Sequence, residues 1–223
     1  MTECRGYFIT GTDTGVGKTA VTLGLMQVMQ ARGCRVAAMK PVASGGEMTA
    51  AGLRNNDALL LQQQASVELD YAQLNPYCFA PPIAPHIAAE EAGVRIDIHK
   101  IYNKYNEIRI LSDCVLVEGA GGWQVPLNAE ETLADLAVAL DLKVILVVAI
   151  RLGCLNHALL TAESIINSGC GLAGWVANHI LPASEAAAAN VRELDLRLAC
   201  PRLGSITYNE GISAKFVADC LSD

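Results

Sequence analysis

The segment that most restricts this chain is Gly11-Thr-Asp-Thr-Gly-Val-Gly-Lys-Thr19, set between the apolar run Tyr7–Thr10 and a helix-length stretch from Lys18 to Ala31. A glycine-rich turn joining a strand to a helix lets backbone amides point into one concavity. The helix amino end adds about half a positive charge there. A triphosphate suits that environment: Lys18 would reach the β and γ phosphates, and Thr19 would offer its hydroxyl to Mg²⁺. The spacing is Gly-x5-Gly-Lys-Thr, because Thr12 stands where the strict phosphate-loop pattern has glycine. A mere glycine turn with a surface lysine does not account for Gly-Lys-Thr falling at a strand–helix junction.

The rest of the chain alternates short apolar runs with helix-length segments, the pattern of a parallel sheet with crossover helices. Strands are expected at Tyr7–Thr10, Arg35–Lys40, Cys114–Glu118, Val144–Ile150, Leu172–Asn178 and Leu203–Ile206. Helices are expected at Lys18–Ala31, Asn56–Ala65, Ile96–Leu111, Leu133–Leu140, Leu155–Asn167, Ser184–Leu198 and Ser213–Leu221. Residues 70–95 are rich in proline and read as a long loop or short helical turns. With 223 residues, the expectation is one doubly wound α/β domain of the P-loop NTPase type, covering 1–223, with helices on both faces and about six or seven strands.

Composition narrows the function. Apolar residues make up 52% and charged residues 17%, so the chain folds. The net charge of -7, with no Lys/Arg block, argues against nucleic acid or an anionic membrane as partner. The densest apolar stretch, Val144–Ile150, is far short of the roughly 20 residues a span needs. No basic-then-apolar leader opens the sequence, so a cytoplasmic location is expected. Eight cysteines without a Cys-x-x-Cys pair read as small buried hydrophobes in a reducing compartment. His86, His99, His157 and His179 make no ligand spacing, and Trp123 and Trp175 read as core or wall residues.

In an open parallel sheet, ligands sit beyond the carboxyl ends of the strands. Three polar clusters fall there: the phosphate loop, Lys40-Pro-Val-Ala-Ser-Gly45, and Val117-Glu-Gly-Ala-Gly-Gly122. Neighbouring strands would bring Lys18, Lys40, Ser44 and Glu118 around one volume. Lys40 is either a solvated strand end or a fixed cation for developing negative charge. Ser44 is either a turn residue or a substrate contact. Glu118 ends an apolar strand as an acidic metal-binding residue would. With Thr19 and Asp57 it could hold Mg²⁺ through oxygen atoms, though Asp57 could equally cap a helix. Asp13 stands where nucleotide switches of the partitioning type carry a second lysine. That alternative and an amidoligase of the same fold remain on the table at this point.

Together with Gly52-Leu-Arg-Asn-Asn-Asp57, Asn75-Pro-Tyr77, Pro85-His86, Trp123, Leu152-Gly-Cys-Leu-Asn-His-Ala158 and Gly174-Trp-Val-Ala-Asn178, these clusters resemble the dethiobiotin synthetase family in order and spacing, over roughly four-fifths of the chain. The resemblance implies an ATP-dependent ring closure of 7,8-diaminononanoate with CO₂. Catalytic cations would be Lys18 and Lys40, with Mg²⁺ on Thr19, Asp57 and Glu118. Nucleotide contacts would come from Gly15, Val16, Gly17, Lys18, Thr19 and Ala20, from Glu118, Gly119, Ala120 and Gly121, and from Asp57, Asn178 and His179, with the Asn178 amide pairing with the adenine edge. Thr14, Lys40 and Ser44 would meet the carbamate or diamine. Gly153, Cys154 and Asn156 would reach the diamine's tail from the second copy of a homodimer. Gly15 replaces an acidic or polar residue frequent in the family, Arg151 replaces a frequent lysine, and Thr207-Tyr-Asn-Glu210 departs from the family after Ile206.

Overall fold

The computed structural model describes residues 6–182, 184–209 and 213–221. Strand β1 (Gly6–Gly11) leads through the phosphate loop into helix α1 (Lys18–Ala31), whose bounds match the sequence expectation. Strand β2 (Val36–Met39) stops before Pro41, whose ring nitrogen cannot donate to a ladder. A short strand β3 (Val42–Ser44), an exposed hairpin of β4 (Glu47–Thr49) and β5 (Gly52–Arg54), and helix α2 (Asn56–Gln64) follow. The proline-rich segment then contains α3 (Tyr71–Leu74) and α4 (Pro85–Glu91), as short helical turns allow. It also holds a strand the sequence did not announce, β6 (Tyr77–Phe79), paired parallel with β3.

Helix α5 (Ile98–Leu111) precedes β7 (Cys114–Gly122), which continues past its expected end at Glu118. After it come α6 (Leu133–Ala139), β8 (Lys143–Ala149), α7 (Cys154–Asn167), β9 (Leu172–Asn178), α8 (Glu185–Arg197), β10 (Arg202–Ile206) and α9 (Ala214–Leu221). The central sheet runs β10-β9-β8-β1-β7-β2 with every neighbour parallel. The mostly parallel, helix-flanked architecture expected from the sequence is therefore the one observed.

Burial on both faces explains the unbroken apolar strands. In β8, Leu146 and Val148 pack with Trp175 and with Ala158 of α7 and Leu194 of α8. The alternate residues Ile145 and Val147 join the larger cluster that holds Val21 and Leu25 of α1 and Val217 of α9. The period of two sends alternate residues to opposite faces, and helices cover both. The two tryptophans are buried, as expected; Trp123 meets Phe8 edge-on with ring centroids 6.0 Å apart.

One irregularity shapes the site. Ile9 of β1 lies opposite Glu118, but Gly11 lies opposite Gly122. Strand β7 uses four steps where β1 uses two, so Gly119–Gly121 bulge away from the ladder. Bulges re-aim a strand beside a site. Here the bulge follows directly on Glu118 and directs the backbone toward the phosphate loop.

Candidate functional site

The phosphate loop is braced rather than free. Thr12 donates its N–H to Val147 O at 3.1 Å, fixing the loop to β8. Gly15 and Gly17 have φ of +72° and +91°, values that favour glycine. A Cβ at Gly15 would meet nothing within 4 Å, so its glycine is a conformational need and not a steric one. The amino end of α1 carries no side-chain cap and no acidic residue in its first turn. Its N–H groups are thus left for an anion, as a phosphate cradle requires.

Lys18 folds across the loop and donates to Asp13 O at 2.9 Å and Gly121 O at 2.6 Å. It links the loop after β1 to the bulge in β7. Burial, followed by the nearby Lys40 charge, lowers its pKa to about 8, against the opposing pull of Glu118, Asp57 and Asp13. A phosphate group entering here would replace carbonyl partners with formal negative charge and favour the charged lysine.

Lys40 is buried at the end of β2, its ammonium 2.5 Å from Glu118 Oε1, 3.2 Å from Gly119 O and 3.6 Å from Asp57 Oδ2. It is therefore the fixed cation of the two sequence readings, not a solvated strand end. Glu118 is fully buried; its Oε1 also accepts from the Thr19 hydroxyl at 2.9 Å, while Oε2 has no partner among the described residues. Asp57 is not the cap of α2: Asn55 takes that place, its Oδ1 accepting from Ala58 N at 3.3 Å. Asp57 is thereby left to face Lys40. An unpartnered carboxylate oxygen, a hydroxyl and a second carboxylate are donors of the type Mg²⁺ takes. Among the described residues no cluster of three His, Cys, Asp or Glu side chains could hold a metal.

One cleft of about 760 Å³ gathers Thr14, Gly15, Gly17, Lys18, Thr19, Lys40, Ser44, Asp57, Glu118, Ala120 and Gly121. Ser44 Oγ is buried without a partner among the described residues, a donor and acceptor left over at the cleft wall. The opposite wall is apolar, from Pro82, Ile83, Ala84, Pro85, Val125 and Pro126. No role was given from the sequence to these wall residues or to Asn55; Pro85 and Asn55 stood only within motifs of the resemblance, and the prolines of 70–95 read as loop or short helical turns.

Several expected contacts lie elsewhere. Val16 packs into the core and does not line the cleft. Ala20 does not line the cleft, and Gly119 contributes its carbonyl to Lys40. Asn178, expected to present its amide to adenine, instead donates Nδ2 to Val16 O at 2.8 Å and clamps the phosphate loop from below. That clamp also explains Gly17, where a Cβ would come 2.2 Å from Asn178 Nδ2. His179 donates its N–H to Ile206 O and pairs its ring with Ser205 Oγ at 3.2 Å; burial and then Arg202 lower its pKa. Gly153, in the turn beside the fully exposed Leu152, and Asn156, in the first turn of α7, are both exposed and do not line the cleft. The Cys154 side chain does not share that exposure, being packed inside among Leu146, Ala158 and Trp175.

A family model described as an AAA domain matches residues 5–215. The ATP-dependent dethiobiotin synthetase BioD of Pseudomonas aeruginosa strain UCBPP-PA14 is 51% identical over 213 residues, covering 95% of this chain and 93% of that protein. The chain belongs to the dethiobiotin synthetase family. BioD of Xanthomonas axonopodis pv. citri is 46% identical, with 93% of each chain covered. BioD 1 of Escherichia coli O157:H7 is 48% identical, covering 90% of this chain and 89% of its own. Among solved structures, the MinD cell division protein of Aquifex aeolicus matches with a TM-score of 0.58 at 17% identity, covering 96% of this chain and 86% of that one. Chloroplast FtsY from Physcomitrella patens matches at 0.53 and 20% identity, covering 100% and 66%. These two likenesses concern the fold alone. The partitioning-type reading thus shares the architecture, while the close relatives are synthetases.

The departures from other dethiobiotin synthetases have local reasons in two cases. Gly15 takes up the left-handed backbone described above. Arg151 pairs through Nη2 with Asp13 Oδ2 at 2.7 Å, tying the turn after β8 to the phosphate loop. In the tail, Thr207–Asn209 is irregular and Glu210 falls outside the described residues. Among the described residues no helix is long and apolar enough to cross a membrane.

Proposed function

We propose that this chain is a cytoplasmic, single-domain, homodimeric enzyme that closes the ureido ring of dethiobiotin from 7,8-diaminononanoate, CO₂ and ATP. One observation carries this reading: Lys18 at the start of α1 and Lys40 after β2 line one cleft with Glu118 and with an apolar set of residues. That cleft lies within the usual range for small-molecule sites, about 300–1,000 Å³.

The chemistry requires such a pair of cations. An amine nitrogen adds to the carbon of CO₂ and loses a proton, giving a carbamate anion. A carbamate oxygen then attacks the γ-phosphorus, and the bond to the bridging oxygen of ADP breaks. The second amine attacks the carbonyl carbon of this mixed anhydride, loses its proton, and inorganic phosphate departs. The middle step brings two anions together. Like charges about 4 Å apart cost about 4 kcal/mol at the effective dielectric of a protein surface. Lys18 offsets the phosphate charge and Lys40 the carbamate charge, both already in place before the reaction.

Thr19, Asp57 and Glu118 would hold Mg²⁺, which when bound draws charge from the β and γ phosphates. Thr14 and Ser44 orient the carbamate end by hydrogen bonds, and the methylene chain lies along Ile83, Pro82 and Val125. In the dimer, the exposed turn with Gly153 and Asn156 meets the tail's carboxylate, with Cys154 contributing only backbone. For the base, Asn178 offers Oδ1, which has no partner among the described residues, rather than its committed Nδ2.

The test is incubation with the diamine, ATP, Mg²⁺ and labelled bicarbonate. Label should appear in an acid-stable ureido product, matched mole for mole by phosphate. Folded protein that leaves the label volatile would reject the assignment. ATP hydrolysis stimulated by DNA instead would favour a partitioning-type switch.

A further inference from the structure

Behind the cleft, a chain of buried and half-buried hydrogen bonds joins its two charged walls. Asn75 Nδ2 donates to Lys40 O at 2.6 Å and to Tyr77 O at 3.2 Å. The Tyr71 hydroxyl donates to Asn75 Oδ1 at 2.8 Å and accepts from Asn55 N at 2.7 Å. Asn55 caps α2 with Oδ1 and reaches Ser44 O with Nδ2 at 3.3 Å. Asp57 lies two residues further along α2.

The covalent route between the walls is slack. From Lys40 to Asn55 the chain makes an excursion through the β4–β5 hairpin, where Glu47–Thr49 are all exposed. Between Lys40 Nζ and Asp57 Oδ2, 3.6 Å apart, the phenol supplies a shorter hydrogen-bonded route, from the backbone of one to the helix start of the other. Lys40 N–H also donates to Leu74 O at 2.9 Å. The phenol hydroxyl also lies 3.9 Å from Cys78 Sγ, and removing it takes away the partner of Asn55 N–H and the donor to Asn75 Oδ1. Arg54 stacks on the ring with Cζ 4.1 Å from its centroid and holds it in plane. Burial pushes the phenol up to about 12, so it stays a donor throughout the working range of pH.

We propose that Tyr71 is a positioning residue that sets the spacing of Lys40 and Asp57, and through it the affinity of the site for Mg²⁺ with nucleotide. Its hydroxyl touches neither substrate nor metal and acts through Asn55 and Asn75. The inference rests on the functional reading above and names a residue that reading does not use.

The experiment compares wild type with Tyr71→Phe in the full chain, after circular dichroism and a melting curve establish folding. Two readouts are taken: the Mg²⁺ dependence of ADP binding by calorimetry, and dethiobiotin formation. Loss of an outer partner of a metal ligand typically costs about 10–100-fold. The variant should need about tenfold more Mg²⁺ for half-maximal ADP binding. Its kcat should fall by about 10–100-fold, with KM for ATP at saturating Mg²⁺ within about threefold. Asp57→Asn should give a similar shift, and the double variant less than the product of the two, because both act on one spacing. A folded Tyr71→Phe with an unchanged Mg²⁺ titration, or with effects that multiply with Asp57→Asn, would overturn the proposal. Should the variant not fold, Asn75→Ser opens the same chain at the next link and is held to the same outcomes. Wild type that forms no dethiobiotin would instead refute the functional reading, whatever Tyr71 does.

Discussion

Two ion pairs bracket the paired stretch of strands β2 and β7, and they live in different solvents. At the amino ends, Arg35 and Asp113 meet at 2.8 Å with side chains 61% and 46% exposed. At the carboxyl ends, Lys40 and Glu118 meet at 2.5 Å with side chains 6% and 0% exposed. The same register aligns both pairs, Val36 with Cys114 and Met39 with Val117. The outer pair is screened by water and salt and adds little. The inner pair is dry; removing one partner strands a buried charge, whereas replacing both can be neutral. A dry pair at a cleft is thus poor design for stability alone and reads as machinery.

Three experiments would break or sharpen that contrast. Lys40→Met has the largest expected effect: kcat down about 10²–10³-fold, since one fixed donor to developing charge is lost, with ATP affinity changed only a few-fold. It should also lower unfolding free energy by about 3 kcal/mol, because Glu118 is left buried with only the Thr19 hydroxyl. Adding Glu118→Gln should recover most of that stability in urea titrations while turnover stays lost. Simple addition of the two losses would mean that the inner pair behaves like the outer one. The smallest effect belongs to Asp113→Asn: unchanged turnover and a melting shift on the order of a degree, fading in high salt. Arg35 hydrogen bonds hold the Asp113 carboxyl below its ordinary range. Its contribution is therefore present above the unfolded-state pKa and lost as pH falls through the folded one. The variant's deficit should appear at neutral pH and vanish on the acid side.

What the sequence disclosed follows how strongly each segment repeats a pattern. Helix α1 and strand β9 kept their expected bounds because periodicity and end signals coincide there. Strands β3 and β6 were not legible: three residues each cannot show alternation, and prolines surround them. Strand β7 seemed to end at Glu118 because glycines read as a stop, yet the bulge carries the ladder on to Gly122. Lys18 was legible from Gly-Lys-Thr at a strand–helix junction, and Lys40 and Glu118 as charged residues closing apolar strands. Asn55 was not, since in Asn55-Asn-Asp57 any of the three could cap a helix; only geometry assigns the cap to the first and frees the third. Asn178 shows the opposite error: its place at a strand end was right, but its Nδ2 faces the loop backbone.

The bulge in β7 makes Glu118 and the Gly119–Gly121 turn part of the sheet itself. Glu118 and the turn after it therefore stand on the central sheet, buried under helices on both faces. The Pro82–Pro85 side is attached more lightly, through contacts such as Gly45 N to Pro81 O at 3.2 Å. Anyone wishing to retune this protein for a longer or shorter chain of methylenes would recut that flank and leave the floor untouched.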